Sequence, residues 1–226
     1  MGCSSCRDFN VPHGCNFWKE SDKMNRFKCM KILANKLKDE LIVISLGEMV
    51  DEWDNAYPGP KTLYAGALGI NCGVAIGLAR ALPHRKVICL DSDGSMLLDL
   101  GCLPVLGNER PKNLMVIVWD NEIYGSLYTE PPLPTHTSKN VDLAKMAEGA
   151  GVENSLTVRT EEEFEKVVTT ALSSNELYYI VAKHDKSSAS IKLKRKRSDA
   201  VEDKYRFLRY IEESEGLDIK PPCRQL

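Results

Sequence analysis

The stretch VICLDSDGSMLLDLGCLPVLGNERPKNLMVIVWDNEIYGS, Val87 to Ser126, decides the fold. Its two apolar runs, KVICLD (86–91, counting the preceding lysine) and LMVIVWD (114–120), read as buried strands. Between them SMLLDLGCLPVLGN (95–108) begins with helical spacing, and Pro104 predicts a break near its middle. A strand, a helix and a strand in this order form a β-α-β unit, whose strands run parallel. Each run stops on an acidic or amide residue. Asp93 lies just beyond the first and Asn121 just beyond the second, 28 residues later. Parallel sheets bind ligands beyond the carboxyl ends of their strands. The crossover therefore brings these two oxygen-bearing side chains toward neighbouring positions at the binding end of the sheet.

Working outward, the same alternation continues in both directions. MNRFKCMKILANKLKDE (24–40) has apolar residues near helical spacing, and LIVISL (41–46) follows as a buried strand. GEMVDEWDNAYPGPKT (47–62) is polar and rich in Pro and Gly, which predicts a loop. AGALGINCGVAIGLARAL (65–82) predicts a helix whose glycines Gly66, Gly69, Gly73 and Gly77 imply close packing, since interior glycine costs about 1 kcal/mol relative to alanine. TEPPLPTHTSKN (129–140) is a proline-rich loop of a length that often carries function. VDLAKMAEGAG (141–151) predicts a helix closed by glycine, SLTVR (155–159) a short strand, and TEEEFEKVVTTALSS (160–174) a helix opened by a Thr160/Glu163 capping box. LYYIVAK (177–183) is the last strand and EDKYRFLRYIEE (202–213) a closing helix. The expected fold is α/β: a three-layer parallel sheet with helices on both faces. Residues 1–23 are expected to be a flexible arm, 24–184 one domain, and 185–226 a charged linker with a C-terminal helix.

Composition removes several classes of function. The 226 residues carry a formal net charge of -2, which implies no general pull toward nucleic acid or a membrane surface. The basic run KLKRKR (192–197) lacks interleaved aromatics and reads as a solvated linker. No apolar run is long enough to span a bilayer. Among eight cysteines, Cys72, Cys89 and Cys102 sit in apolar stretches and read as reduced core residues. Cys3, Cys6 and Cys15 with His13 lack the second close pair of a metal site, so an unstructured arm is expected there. MGCSSC has Cys where a myristoylation signal needs Ser or Thr. A cytoplasmic protein is expected.

A carboxylate and an amide oxygen converging on one point suit a hard divalent cation, Mg2+ above all. Mg2+ shares its remaining positions with phosphate oxygens and water. Gly94 and Ser95 add backbone N–H groups and a hydroxyl where a helix begins, a favourable place for an anion. Together they describe a metal-bridged diphosphate. Taken singly, DSDG and DN each read as plain turns; the pairing at this spacing gives them meaning.

SDGS followed by WDNEIYG resembles the signature of thiamine-diphosphate enzymes, usually Gly-Asp-Gly-Ser and then a pair ending in Asn. From about Leu41 to Lys183 the chain resembles the diphosphate-binding half of thiamine-dependent 2-oxoacid decarboxylases, above all the beta subunits of sulfopyruvate decarboxylase and the matching half of phosphonopyruvate decarboxylase. Ser92 departs from that pattern, which has glycine there. The resemblance implies that Asp93 and Asn121 ligate Mg2+ through side chains and Ile123 through its carbonyl, with Gly94 and Ser95 on the diphosphate. AGALG stands where the family has Gly-Ser-Met-Gly or Gly-Ser-Ile-Gly. Gly66 would offer its carbonyl to the cofactor's exocyclic amine and Leu68 would be the wedge that bends it, a catalytic role for both. Ala67 replaces a serine. Gly47 and Glu48 would also reach the cofactor; Tyr124, Gly125 and Ser126 would shape the site, and Leu127 would face substrate. His136 and His84 read as a solvated loop residue and a surface turn. The implied bend presses the amine against the C2 proton it removes, after which the cofactor carries the decarboxylation.

The family also needs a glutamate from another domain of roughly 150 residues, for which this chain has no room. The resemblance therefore implies a pyrimidine-side (alpha) partner subunit carrying that glutamate, cofactors at the interface, an α2β2 or larger assembly, and a small acidic 2-oxoacid as substrate, with neither nucleic acid nor membrane as partner. Three alternatives stand beside it. One is the beta subunit of a 2-oxoacid:ferredoxin oxidoreductase, kept open by the N-terminal cysteines. The second is a thiamine-dependent carboligase, and the third a non-catalytic scaffold.

Overall fold

The computed structural model describes residues 24–124, 133–185, 193–194 and 199–219. The N-terminal cysteines and His13, Gly125, Ser126, Leu127 and most of the basic run lie outside the described residues. Six strands form one parallel sheet: β1 (Leu41–Ile44), β2 (Thr62–Tyr64), β3 (Val87–Ser92), β4 (Leu114–Asp120), β7 (Asn154–Val158) and β8 (Tyr178–Lys183). Their spatial order is β2-β1-β3-β4-β8-β7. Two short strands, β5 (Ile123–Tyr124) and β6 (Leu133–Pro134), pair antiparallel at its carboxyl end.

Because successive side chains on a strand point to opposite faces, buried runs such as LIVI feed two separate cores. Leu41, Val43, Val87, Cys89, Val116 and Val118 face one way. They pack against α3 (Asn71–Ala81), α5 (Cys102–Glu109), α6 (Leu143–Gly149) and α8 (Ala200–Glu215), which contributes Phe207 and Ile211. Ile42, Ile44, Ile88, Leu90, Ile117 and Trp119 face the other way, under α1 (Arg26–Ala34), α2 (Glu48–Ala56) and α7 (Glu161–Ser173). The three-layer α/β expectation holds, and the closing helix joins the same core.

Local signals act as expected at α7, where Thr160 Oγ1 accepts from the Glu163 N–H at 3.2 Å. The Glu163 carboxylate reaches back to the Arg159 N–H at 2.8 Å, one residue beyond a standard capping box. Four expectations change. Residues 48–56 form helix α2 rather than loop, because Met49, Glu52 and Trp53 make a buried stripe within an otherwise acidic segment. The stripe is held by Arg26, whose Nε donates to Glu52 Oε2 at 2.6 Å, and by Trp53 Nε1–H donating to Thr62 Oγ1 at 3.1 Å. The helix expected from 65 begins only at Asn71, since Gly66 and Gly69 sit at φ 70° and 80°, outside helical space. Gly73 and Gly77 have open space where a Cβ would be, so close packing does not explain them. The glycine that does permit close approach is Gly107, where a Cβ would lie 1.8 Å from the Ala150 carbonyl oxygen. Pro104 does not break a helix either. It stands in the first turn of α5, where a missing N–H costs nothing, and the break falls earlier, between α4 (Asp93–Met96) and Cys102.

Candidate functional site

Chain order places β2 on one side of β1 and sends β3 to the other, so β1 and β3 lead their connections in opposite directions. That reversal opens a crevice at the carboxyl ends of β1 and β3. Leu46 and Gly47 leave β1 there, and Asp93 follows β3. Asn121 follows β4, which pairs directly with β3 in register (Ser92 opposite Trp119). The two sequence-selected side chains are thus brought to adjoining strand tips.

Asp93 is almost entirely buried at 1% exposure, and so is Asp120. Burial and the neighbouring Asp120 push the Asp93 carboxyl up to about 7, against the pull of Thr135 and the Gly94 N–H. Thr135 Oγ1 lies 2.7 Å from Asp93 Oδ2 and 2.8 Å from Thr137 Oγ1, which lies 2.8 Å from Asp120 Oδ1. Three short O···O contacts therefore link the two carboxyl groups through the Thr135 and Thr137 hydroxyls, which donate to Asp93 and Asp120 respectively. Lys183 Nζ neutralises the other end, 2.8 Å from Asp120 Oδ2 and 3.1 Å from Glu122 Oε1.

The turn after β4 is built from its own side chains. Asp120 Oδ1 accepts from the Glu122 N–H at 3.1 Å and Asn121 Oδ1 from the Ile123 N–H at 3.2 Å. Glu122 is held at φ 68°, a conformation costly for a residue with a side chain and common at functional turns. This turn sits at the tip of β4, next to the β3 tip that Asp93 follows. At the start of α4, a Cβ on Gly94 would come within 2.8 Å of the Tyr124 ring, so only glycine fits under it.

Ser95 has a different place from the one expected. Its hydroxyl turns inward, accepting from the Gly69 N–H at 2.9 Å and lying 3.3 Å from Ser45 Oγ. Its N–H is capped by Ser92 Oγ at 3.3 Å. Asn71 Nδ2 donates to Asp91 Oδ1 at 3.1 Å and reaches Ser95 Oγ at 3.4 Å. Ser95 is thus the knot that ties the 65–70 loop to the β3 tip. On that loop Gly66 and Leu68 are exposed and Ala67 half-buried. Leu68 is 46% exposed, which excludes ordinary core packing in the isolated chain. Gly47 is exposed and Glu48 half-buried at the start of α2. His136 is exposed in a short 3-10 turn, and His84 pairs with Glu215 at the surface.

Asp93 and Asn121, at adjoining strand tips, are oxygen donors of the kind a hard divalent cation takes. Among the described residues no group of three His, Cys, Asp or Glu offers a competing metal site. Sequence reasoning passed over Asp120, Thr135, Thr137 and Lys183. Asp120 lay inside the quoted motif, but the threonines stand more than 40 residues from Asp93 and carry no local signal.

Residues 53–182 match the family described as thiamine pyrophosphate enzyme, C-terminal TPP binding domain. The chain is 33% identical to the sulfopyruvate decarboxylase subunit beta of Methanocaldococcus jannaschii, over 81% of this chain and 95% of that one. It is 29% identical to the phosphonopyruvate decarboxylase of Streptomyces viridochromogenes, over 64% of this chain and 36% of that one. Benzoylformate decarboxylase from Polynucleobacter necessarius shares the fold with a TM-score of 0.63 at 20% identity, covering 74% of this chain and 34% of that one. The chain thus spans about a third of that solved structure. From the matched domain and the near full-length likeness to a beta subunit, the chain belongs to the thiamine pyrophosphate enzymes, in the family of their C-terminal TPP-binding domains.

Proposed function

We propose that this chain is the diphosphate-binding subunit of a thiamine-diphosphate-dependent decarboxylase of small acidic 2-oxoacids, sulfopyruvate or phosphonopyruvate in type. The observation that carries it is the meeting of Asp93 with the Asn121–Ile123 turn at the adjoining tips of β3 and β4. Asp93 and Asn121 hold Mg2+ through side-chain oxygens and Ile123 through its carbonyl. Gly94 brings backbone against the diphosphate, and Ser95 offers its N–H once Ser92 Oγ gives it up. Bound there, thiamine diphosphate supplies the carbon that adds to the 2-oxo group and takes up the electrons released with CO2. Gly66 presents its carbonyl to the cofactor amine and Leu68 wedges beneath the cofactor. Gly47 and Glu48 line the same crevice from β1, and Tyr124 from the β4 side.

A partner subunit supplies the remaining glutamate and covers the cofactor. Its supporting observation is the group of exposed apolar side chains around the crevice: Leu46, Leu68, Ile70 and Leu98. Apolar residues gathered in this way at a site mark an interaction surface. A cytoplasmic setting agrees with four free, buried cysteines, Cys29, Cys72, Cys89 and Cys102. No helix among the described residues is long and apolar enough to cross a membrane.

The test is calorimetric titration of the chain, alone and with its co-purified partner, using thiamine diphosphate and Mg2+. Product analysis with sulfopyruvate and phosphonopyruvate follows. The expected result is saturable, Mg2+-dependent binding and aldehyde formation in the complex only. Full turnover by the chain alone overturns the partner requirement, and no heat in either sample overturns the cofactor assignment.

A further inference from the structure

Thr135 belongs to no motif and stands 42 residues from Asp93, yet it is 2% exposed and seated against that carboxylate. Its main chain is fixed to the other half of the site. The Thr135 N–H donates to the Glu122 carbonyl at 2.9 Å, and the preceding strand β6 pairs with β5 through Pro134 opposite Ile123. Ser138 Oγ donates to the Thr135 carbonyl at 2.7 Å, and Lys183 Nζ reaches the Thr137 carbonyl at 3.3 Å. One residue therefore grips the β3 tip by its side chain and the β4 turn by its backbone.

We infer that Thr135 is a positioning residue for the cation: its hydroxyl fixes Asp93 while its backbone fixes the turn that carries Asn121 and Ile123. This rests on the cofactor assignment above. When Asp93 is ionised, the Thr135 hydroxyl donates to Oδ2 and leaves Oδ1 for the metal. Thr137 supports the arrangement by donating to Asp120, which Lys183 also holds. Partners that orient a ligating carboxylate commonly govern metal affinity as strongly as some ligands do. Mg2+ tolerates little departure from its preferred geometry, so the relative placement of the two strand tips matters more here than the number of donors.

The test uses the full chain with its partner, thiamine diphosphate, and Mn2+ as a paramagnetic stand-in for Mg2+. Free Mn2+ is counted by electron paramagnetic resonance. Thr135→Val keeps the methyl and the shape but removes the hydroxyl; Thr135→Ser does the reverse. The expected result is a loss of roughly 10- to 100-fold in Mn2+ affinity for Thr135→Val, with Thr135→Ser holding the wild-type affinity. Thermal unfolding in EDTA checks that both variants fold. Wild-type binding with equally tight Thr135→Val binding overturns the inference, as does a loss in Thr135→Ser that matches the valine variant. No Mn2+ binding by the wild type overturns the cofactor assignment itself. Should the valine variant fail to fold, Thr135→Ala takes its place: weak Mn2+ binding by the alanine variant beside tight binding by Thr135→Ser supports the hydroxyl, and equal affinity of the alanine and serine variants overturns it.

Discussion

Replacing Asp93 by Asn separates the cost of the site to folding from its use. In the cation-free chain, burial and Asp120 raise the Asp93 carboxyl from 3.8 to about 7. A carboxyl raised on folding contributes stability that is fully present below its unfolded-state pKa and is lost as pH rises through the folded value near 7. Ionising it in place costs about 4 kcal/mol at full deprotonation, at about 1.4 kcal/mol per pH unit. Asparagine is neutral at every pH, and its amide oxygen can accept from the Thr135 hydroxyl where the carboxyl did. The gain of Asp93→Asn over wild type should therefore grow by about 3 kcal/mol between about pH 5 and pH 8.5. For a chain of this size that is a difference of roughly 6–12 °C in unfolding temperature. The assay is thermal unfolding in EDTA, followed by circular dichroism. His184 works in the opposite sense, because burial holds its pKa below the ordinary value and acid therefore destabilises the fold. The comparison is thus made between the two chains at each pH, where that contribution cancels. With Mg2+ and thiamine diphosphate present, the order reverses, since only the wild type gains stability by binding them. A pH-independent difference between the chains in EDTA refutes the strained carboxyl, and equal stabilisation of both by the cofactor refutes Asp93 as a ligand.

Two further substitutions address the cofactor's neighbours. Ser92→Gly removes the cap on the Ser95 N–H, 3.3 Å long, and frees that donor for a diphosphate oxygen. Glycine at an N-cap costs only a few tenths of a kcal/mol, so thiamine diphosphate should bind roughly 2- to 10-fold more tightly by calorimetry; unchanged or weaker binding refutes this. Leu68→Ala, at a side chain 46% exposed in the chain alone, should change stability by no more than about 0.5 kcal/mol. The same change should lower kcat of the assembled complex roughly 10²-fold by letting the cofactor shift; an unaltered kcat removes Leu68 from its role as wedge.

The buried strands were legible because apolar residues recur in short runs, and Asp93 and Asn121 stood out because such residues are out of place beside those runs. Helix α2 was hidden because Glu48, Asp51 and Asp54 mask a stripe of only Met49, Glu52 and Trp53, one of which is itself acidic. The late start of α3 was hidden because glycine is compatible with both helical and left-handed backbone. Ser95 had the residue type expected of an anion ligand, and only its surroundings show that its hydroxyl serves Gly69 and the loop instead.

By itself the sequence determined the layered α/β plan and the position of Asp93 and Asn121 just beyond two strand ends, because side-chain periodicity and turn chemistry act over a few residues. The tertiary structure alone decided which strands adjoin, and so brought Thr135 and Asp120 to the Asp93 carboxylate and Lys183 to Asp120. Those contacts depend on the parallel pairing of β3 with β4 and on the return of β6 to the same tip. Nothing in a local pattern encodes a hydrogen bond between residues that only the closed sheet makes neighbours.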